Sequence, residues 1–292
     1  MRKFFSITGA TFEEILNEPL ALLLTVSALA LAVLAPFLHF HEFGEVTRTA
    51  RDAGISALTM FGLLYVVFLS IRSLRREFEN GIMNLTLAHA VSRSMYVVAK
   101  AAGVFLAYLV FALTLFAETL ITVKGVELGN LMRGGNESMP TLSGVSLALS
   151  IAPIFLPIIF AGLANRFFGR RFTLSAALTM PVIAFLGTFY HFDFPLIARM
   201  LPVAVMPTFL AAMMTAASFA AAAVFKANLA AGSVFALAVA ALPVIGNHCL
   251  VDALSQGGTL SWGYVAMAAL AASPIIAAFL LAASWILERR DA

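Results

Sequence analysis

AAGVFLAYLVFALTLFAETLIT, running from Ala101 to Thr122, is the stretch that decides the fold. Its only charged residue is Glu118. A bilayer core about 30 Å thick needs roughly 20 mainly apolar residues in a helix rising about 1.5 Å per residue. The run has that length and that composition, so it reads as a helix covered by lipid.

The rest of the chain repeats the pattern. Apolar stretches of similar length lie at 20–38, 54–71, 144–164, 173–190, 204–225, 228–247 and 263–287. Over all 292 residues, 62% are hydrophobic and 11% are charged. A soluble chain is nearer half apolar and a quarter charged, and could not hide this much apolar surface in a core. The expected fold class is therefore all-α, a polytopic integral membrane bundle of six to eight spans. The range reflects 204–225 and 228–247, which the Lys226-Ala227-Asn228 turn joins and Pro202, Pro207 and Pro243 interrupt or flank. Those two stretches form either two spans or one re-entrant hairpin. Both alternatives leave the two termini on the same side.

Lys and Arg set that side, because cytoplasmic connections carry the excess of both. With the N-terminus inside, thirteen fall in the cytoplasm: Arg2, Lys3, Arg72, Arg75, Arg76, Arg93, Lys100, Arg166, Arg170, Arg171, Lys226, Arg289 and Arg290. Five fall outside: Arg48, Arg51, Lys124, Arg133 and Arg199. The expected orientation has both termini cytoplasmic. Orientation also accounts for the net charge of +3, since no basic stripe or base-stacking motif points to nucleic acid. With Cys249 as the one cysteine, the chain can form no internal disulfide.

Before the first span, Thr11-Phe12-Glu13-Glu14 has the form of a capping box. Phe12, Ile15 and Leu16 share one side, and Glu13 and Asn17 lie on another. Residues 1–19 are expected to include a short amphipathic helix on the cytoplasmic surface, with Pro19 opening the first span. Residues 20–292 form the transmembrane part. Nothing near Arg2 and Lys3 resembles a cleavable signal, so the first span is expected to be retained.

The segment 72–100 is the polar stretch with the richest pattern. Leu74, Phe78, Ile82 and Leu85 recur at helical spacing, with Arg75, Arg76 and Glu79 on the other side. Gly81 can close that helix, and Ser92 is placed to cap the helix that follows. The pattern reads as a helix–turn–helix at the cytoplasmic face, tied to two spans. The other reading is a solvated loop whose charges anchor the helix ends.

Glu77, Glu79, Gly81, Leu87, Val91, Ser92, Arg93, Tyr96, Lys100 and Gly103 match, in order and spacing, the signature of ABC-2 type transporter permeases. Ile82, Thr86 and Ala90 depart from it. The stretch from Thr11 to Pro19 is similar to the interfacial helix that opens these permeases, and Phe43-Gly44-Glu45, Asp52-Ala53-Gly54 and Phe61-Gly62 resemble one bacterial branch of that family. The likeness covers about 11–103 and is topological beyond. It implies the membrane permease subunit of an ATP-binding cassette exporter in the bacterial inner (plasma) membrane. Its partners would be ATPase subunits and a second permease, the same or homologous. The segment carrying Arg75, Arg76, Glu77, Glu79, Gly81, Ser92, Arg93, Tyr96 and Lys100 would be the coupling element. This chain carries no G-x-x-x-x-G-K-[ST] phosphate loop, so ATP and magnesium would bind the partner, with no cofactor and no catalysis on this chain.

Other residues have competing readings. Glu118, within about one turn of the expected outer end of its span, is either a substrate or proton site or a group reaching the interface. His39, His41 and Glu42 lack a third cluster that would make a metal site, and Asn247, His248, Cys249 and Asp252 read as a span end. Gly144-Val145-Ser146-Leu147 lacks the second glycine of a serine-hydrolase elbow and reads as small-residue packing. Asn136-Glu137-Ser138 is a sequon with meaning only in a glycosylating compartment. Two rival functions remain. An ion-gradient-driven secondary transporter would need ionisable residues in its spans, and an intramembrane enzyme would need a nucleophile–base pair or acidic metal cluster.

Overall fold

The computed structural model describes residues 2–38, 46–79, 92–132, 144–225, 229–230, 232–234 and 260–290. Long α-helices dominate these residues: α1 (Arg2–Leu16), α2 (Pro19–Leu38), α3 (Val46–Glu79), α4 (Arg93–Met132), α5 (Gly144–Phe168), α6 (Phe172–Tyr190), α7 (Phe194–Val224) and α8 (Trp262–Arg290). Among the described residues there is no strand. The helices from α2 to α8 are each long and apolar enough to cross a membrane. The protein is a multi-pass, all-α membrane protein.

Several sequence features explain how these helices persist. Pro19 opens α2, where its missing N–H costs nothing. Pro153 and Pro157 lie inside α5, Pro181 inside α6 and Pro274 inside α8. Membrane helices tolerate such prolines because neighbouring groups re-satisfy the freed backbone. Hydroxyl side chains are satisfied within their own helices. Thr25, Thr59, Thr114, Thr119, Thr215 and Ser218 each donate to the carbonyl four residues back. Gly169, at φ 61, closes α5 in the left-handed conformation, its N–H on the Asn165 carbonyl at 3.1 Å.

Four expectations change. Thr11 is no helix cap, because α1 already starts at Arg2 and holds Thr11 buried inside it. The helix through 101–122 does not stop at Thr122; it continues as α4 to Met132. Glu118 therefore lies well within a helix and cannot be a group at its end. Pro202 and Pro207 do not interrupt the span at 204–225, since both fall inside α7. Finally, residues 72–79 form no separate helix but the last turns of α3. The stretch at 228–247 lies largely outside the described residues, as do Gly81 and the side chain of Glu79.

The chain forms two compact units. One comprises 1–15, 62–109 and 205–292. In it α1 lies directly on α4: Thr8 Oγ1 donates to the Ala99 carbonyl at 3.1 Å. Gly103 makes this approach possible, because a Cβ there would lie 2.7 Å from both the Thr8 carbonyl oxygen and the Thr11 Cβ. The other unit comprises 16–61 and 110–204. It holds the tightly packed α5–α6 hairpin with α2 against both helices. Thr173 Oγ1 donates to the Asn17 carbonyl at 2.9 Å, fixing the start of α6. Large apolar side chains such as Phe155, Ile159, Phe160, Leu186 and Phe189 point outward, where only lipid suits them.

Candidate functional site

Lys100 is the centre of the candidate site. A lysine four residues after Tyr96 on α4 shares its helical face, and that face is turned inward: Tyr96 and Lys100 are each 1% exposed. A buried ammonium must spend its three N–H donors on the protein. Nζ donates to Ser73 Oγ at 2.8 Å, to the Ser73 carbonyl at 3.1 Å, and lies 3.0 Å from Glu77 Oε1. Ser73 Oγ in turn donates to Glu14 Oε2 at 3.2 Å, and Glu14 lies 3.8 Å from Nζ.

The spacing explains the arrangement. Ser73 and Glu77 are four residues apart on the last turns of α3, one above the other, and both face α4. Glu14 comes from the last turn of α1. One ammonium thus ties three helices of one unit together. Pairing across helices that all end in this region resists their sliding independently.

The other face of the α3 terminus is open. Arg72 and Arg76 are exposed, and Arg75 is half-buried with Nε and Nη2 lacking any hydrogen-bond partner. Ser92 caps α4: its Oγ accepts from the Met95 N–H at 3.3 Å. Arg93 Nη1 donates to the Leu287 carbonyl at 2.9 Å, joining the start of α4 to the end of α8. There Arg289 stacks over Trp285, 4.0 Å from the ring centroid.

Of the residues expected in the coupling segment, the structure brings Glu77 and Lys100 into contact. It buries Tyr96 beside them on α4, caps α4 with Ser92, and places Arg93 against α8. Arg75 and Arg76 stand at the α3 terminus. Tyr96 and Lys100 are closed to solvent, whereas Arg72 and Arg76 are exposed. Glu14 was missed. The sequence reading gave it to a capping box, whereas its distance of 59 residues from Ser73 could be closed only by the fold.

A second polar cluster lies in the other unit. Lys124 of α4 pairs with Glu127 at 2.8 Å and with Asp193. Asp193 also caps α7, accepting from the Leu196 N–H at 3.2 Å. The hydrogen bond from Lys124 and this cap hold the Asp193 carboxyl below its ordinary range. Ser146 Oγ and His191 Nε2 lie 3.2 Å apart, and burial, then the Lys124 charge, push His191 down. The sequence reading passed over Asp193, although Asp-Phe-Pro is a helix-start signal. Glu118 is fully buried on α4.

No protein-family model, curated protein or solved structure matches this chain.

Proposed function

We propose that this protein is the permease subunit of an ATP-driven, ABC-2 type transporter, and that the segment around the α3 terminus and the α4 start receives force from a separate ATPase. The observation that carries the reading is the Lys100 junction. A push on the exposed face at Arg72 and Arg76 reaches Ser73 and Glu77 in the same helical turns. Through Lys100 it reaches α4, and through Glu14 it reaches α1. Arg93 extends the connection to α8. The likeness of 77–103 to the permease signature supports the same reading, as does a sequence without a phosphate loop.

In this mechanism the ATPase closes around nucleotide and displaces the polar turn. The last turns of α3 and the start of α4 move together, because the Lys100 junction joins them. The transported molecule then moves across or out of the bilayer, with export as the expected direction. The bacterial inner membrane is the expected location, with both termini cytoplasmic and a second permease copy or homologue completing the translocation path.

The test is affinity purification of the tagged chain from its native membranes. A polypeptide bearing a phosphate loop is expected to copurify in stoichiometric amount. Arg72→Glu combined with Arg76→Glu is expected to abolish its recovery without lowering the amount of chain in the membrane. Transport by the purified chain alone, or copurification indifferent to both reversals, overturns the reading.

A further inference from the structure

We propose that Glu118 is a proton-binding site, a carboxyl group inside the helix bundle that takes up and gives up a single proton. The inference is independent of the coupling reading, and it rests on how Glu118 is surrounded.

Glu118 has no exposed surface. Its Oε1 accepts one long hydrogen bond, 3.4 Å from Thr122 Oγ1, and its Oε2 has no hydrogen-bond partner. Nearby hydroxyls do not help, because Thr114 and Thr119 donate to the carbonyls of Val110 and Leu115. A carboxylate is an acceptor only and needs donors at both oxygens; a carboxylic acid supplies a donor of its own. Glu118 is thus left with a place for a proton and no fixed donor to fill it.

Among the described residues no cation pairs with Glu118 either. On its own helix, Lys124 is committed to Glu127 and Asp193. α3 comes against α4 where Gly54 meets Thr119, and the charged groups near Gly54 pair among themselves, Arg48 and Arg51 with Asp52. α6 comes against α4 where Gly187 meets Ile121, and the titratable group at its end, His191, is engaged with Ser146. An ionisable residue in a span with one oxygen unpartnered is costly to keep and marks a functional position.

The experiment is infrared spectroscopy of the full chain in lipid nanodiscs during a pH titration. It requires neither an ATPase nor a transported substrate, so its outcome is separate from that of the coupling test. The expected result is one protonated-carboxyl stretching band that rises and falls reversibly with pH. The band is lost in Glu118→Gln, shifts in frequency in Glu118→Asp, and is indifferent to exchange of sodium for choline. Two results overturn the proposal: spectra of both variants that superimpose on wild type across the titration, or a band that responds to sodium at constant pH, which would make the site a cation site. Glu118→Asp keeps the carboxyl, so the comparison stands even if Glu118→Gln does not fold.

Discussion

Lys100 Nζ lies 3.0 Å from Glu77 Oε1 in a setting where the lysine is closed to water. The pair joins the end of one membrane helix to the start of the next. Burying an ion pair is costly, and its net stabilisation over an apolar pair is small. Its value lies in registry, since an ammonium with its donors committed to Ser73 and Glu77 fits one relative position of α3 and α4.

Breaking the pair from one side is therefore expected to be worse than removing it. Lys100→Met leaves the half-buried Glu77 without its partner and should destabilise the protein by about 1–3 kcal/mol. Adding Glu77→Gln to Lys100→Met should restore part of that loss. Thermal unfolding of the two variants in detergent checks both, and equal melting temperatures would assign no coupling to the pair.

Gly103 predicts a steric effect at the same junction. Gly103→Ala places a methyl group 2.7 Å from a backbone oxygen of α1, which cannot rotate away. The α1–α4 contact should open at a cost of about 1–3 kcal/mol. Increased amide exchange within 2–16, with α5 and α6 unchanged, is the measurement.

The legibility of these features divides by range. Apolar run length located the membrane helices, because that signal is local and strong: 173–190 became Phe172–Tyr190, and Pro19 opened α2. Ser92 as a cap was legible for the same reason. The ends of α3 and α4 were not. Val126 and Leu74 are buried, so packing extends these helices through polar sequence that hydropathy assigns to loops. The inward turn of Lys100 was hidden too, because its partners come from positions 27 and 86 residues away, Ser73 and Glu14, and no local pattern encodes such pairing. Arg76, by contrast, was expected on the water side and is exposed.

The polar cluster of the second unit predicts acid sensitivity in two stages. His191 is held below its ordinary value, so the fold favours its neutral form. Stability from this group is present above about pH 6.5 and is lost as pH falls through that region. Asp193 is also depressed, through Lys124 and the Leu196 N–H. Its contribution is present above about pH 4 and is lost below. Melting temperature measured against pH should fall in both windows, the upper step disappearing in His191→Asn and the lower in Asp193→Asn.

If a separate ATPase supplies the force, the terminus of α3 faces the compartment that holds ATP. Arg76 is exposed at that terminus, and Cys249 is the one native thiol. Arg76→Cys in a Cys249→Ser background gives a single reporter for a membrane-impermeant maleimide. Labelling is expected in inverted membrane vesicles and absent from right-side-out vesicles. Labelling of right-side-out vesicles alone would put the terminus outside the cell, where no ATPase could push on it.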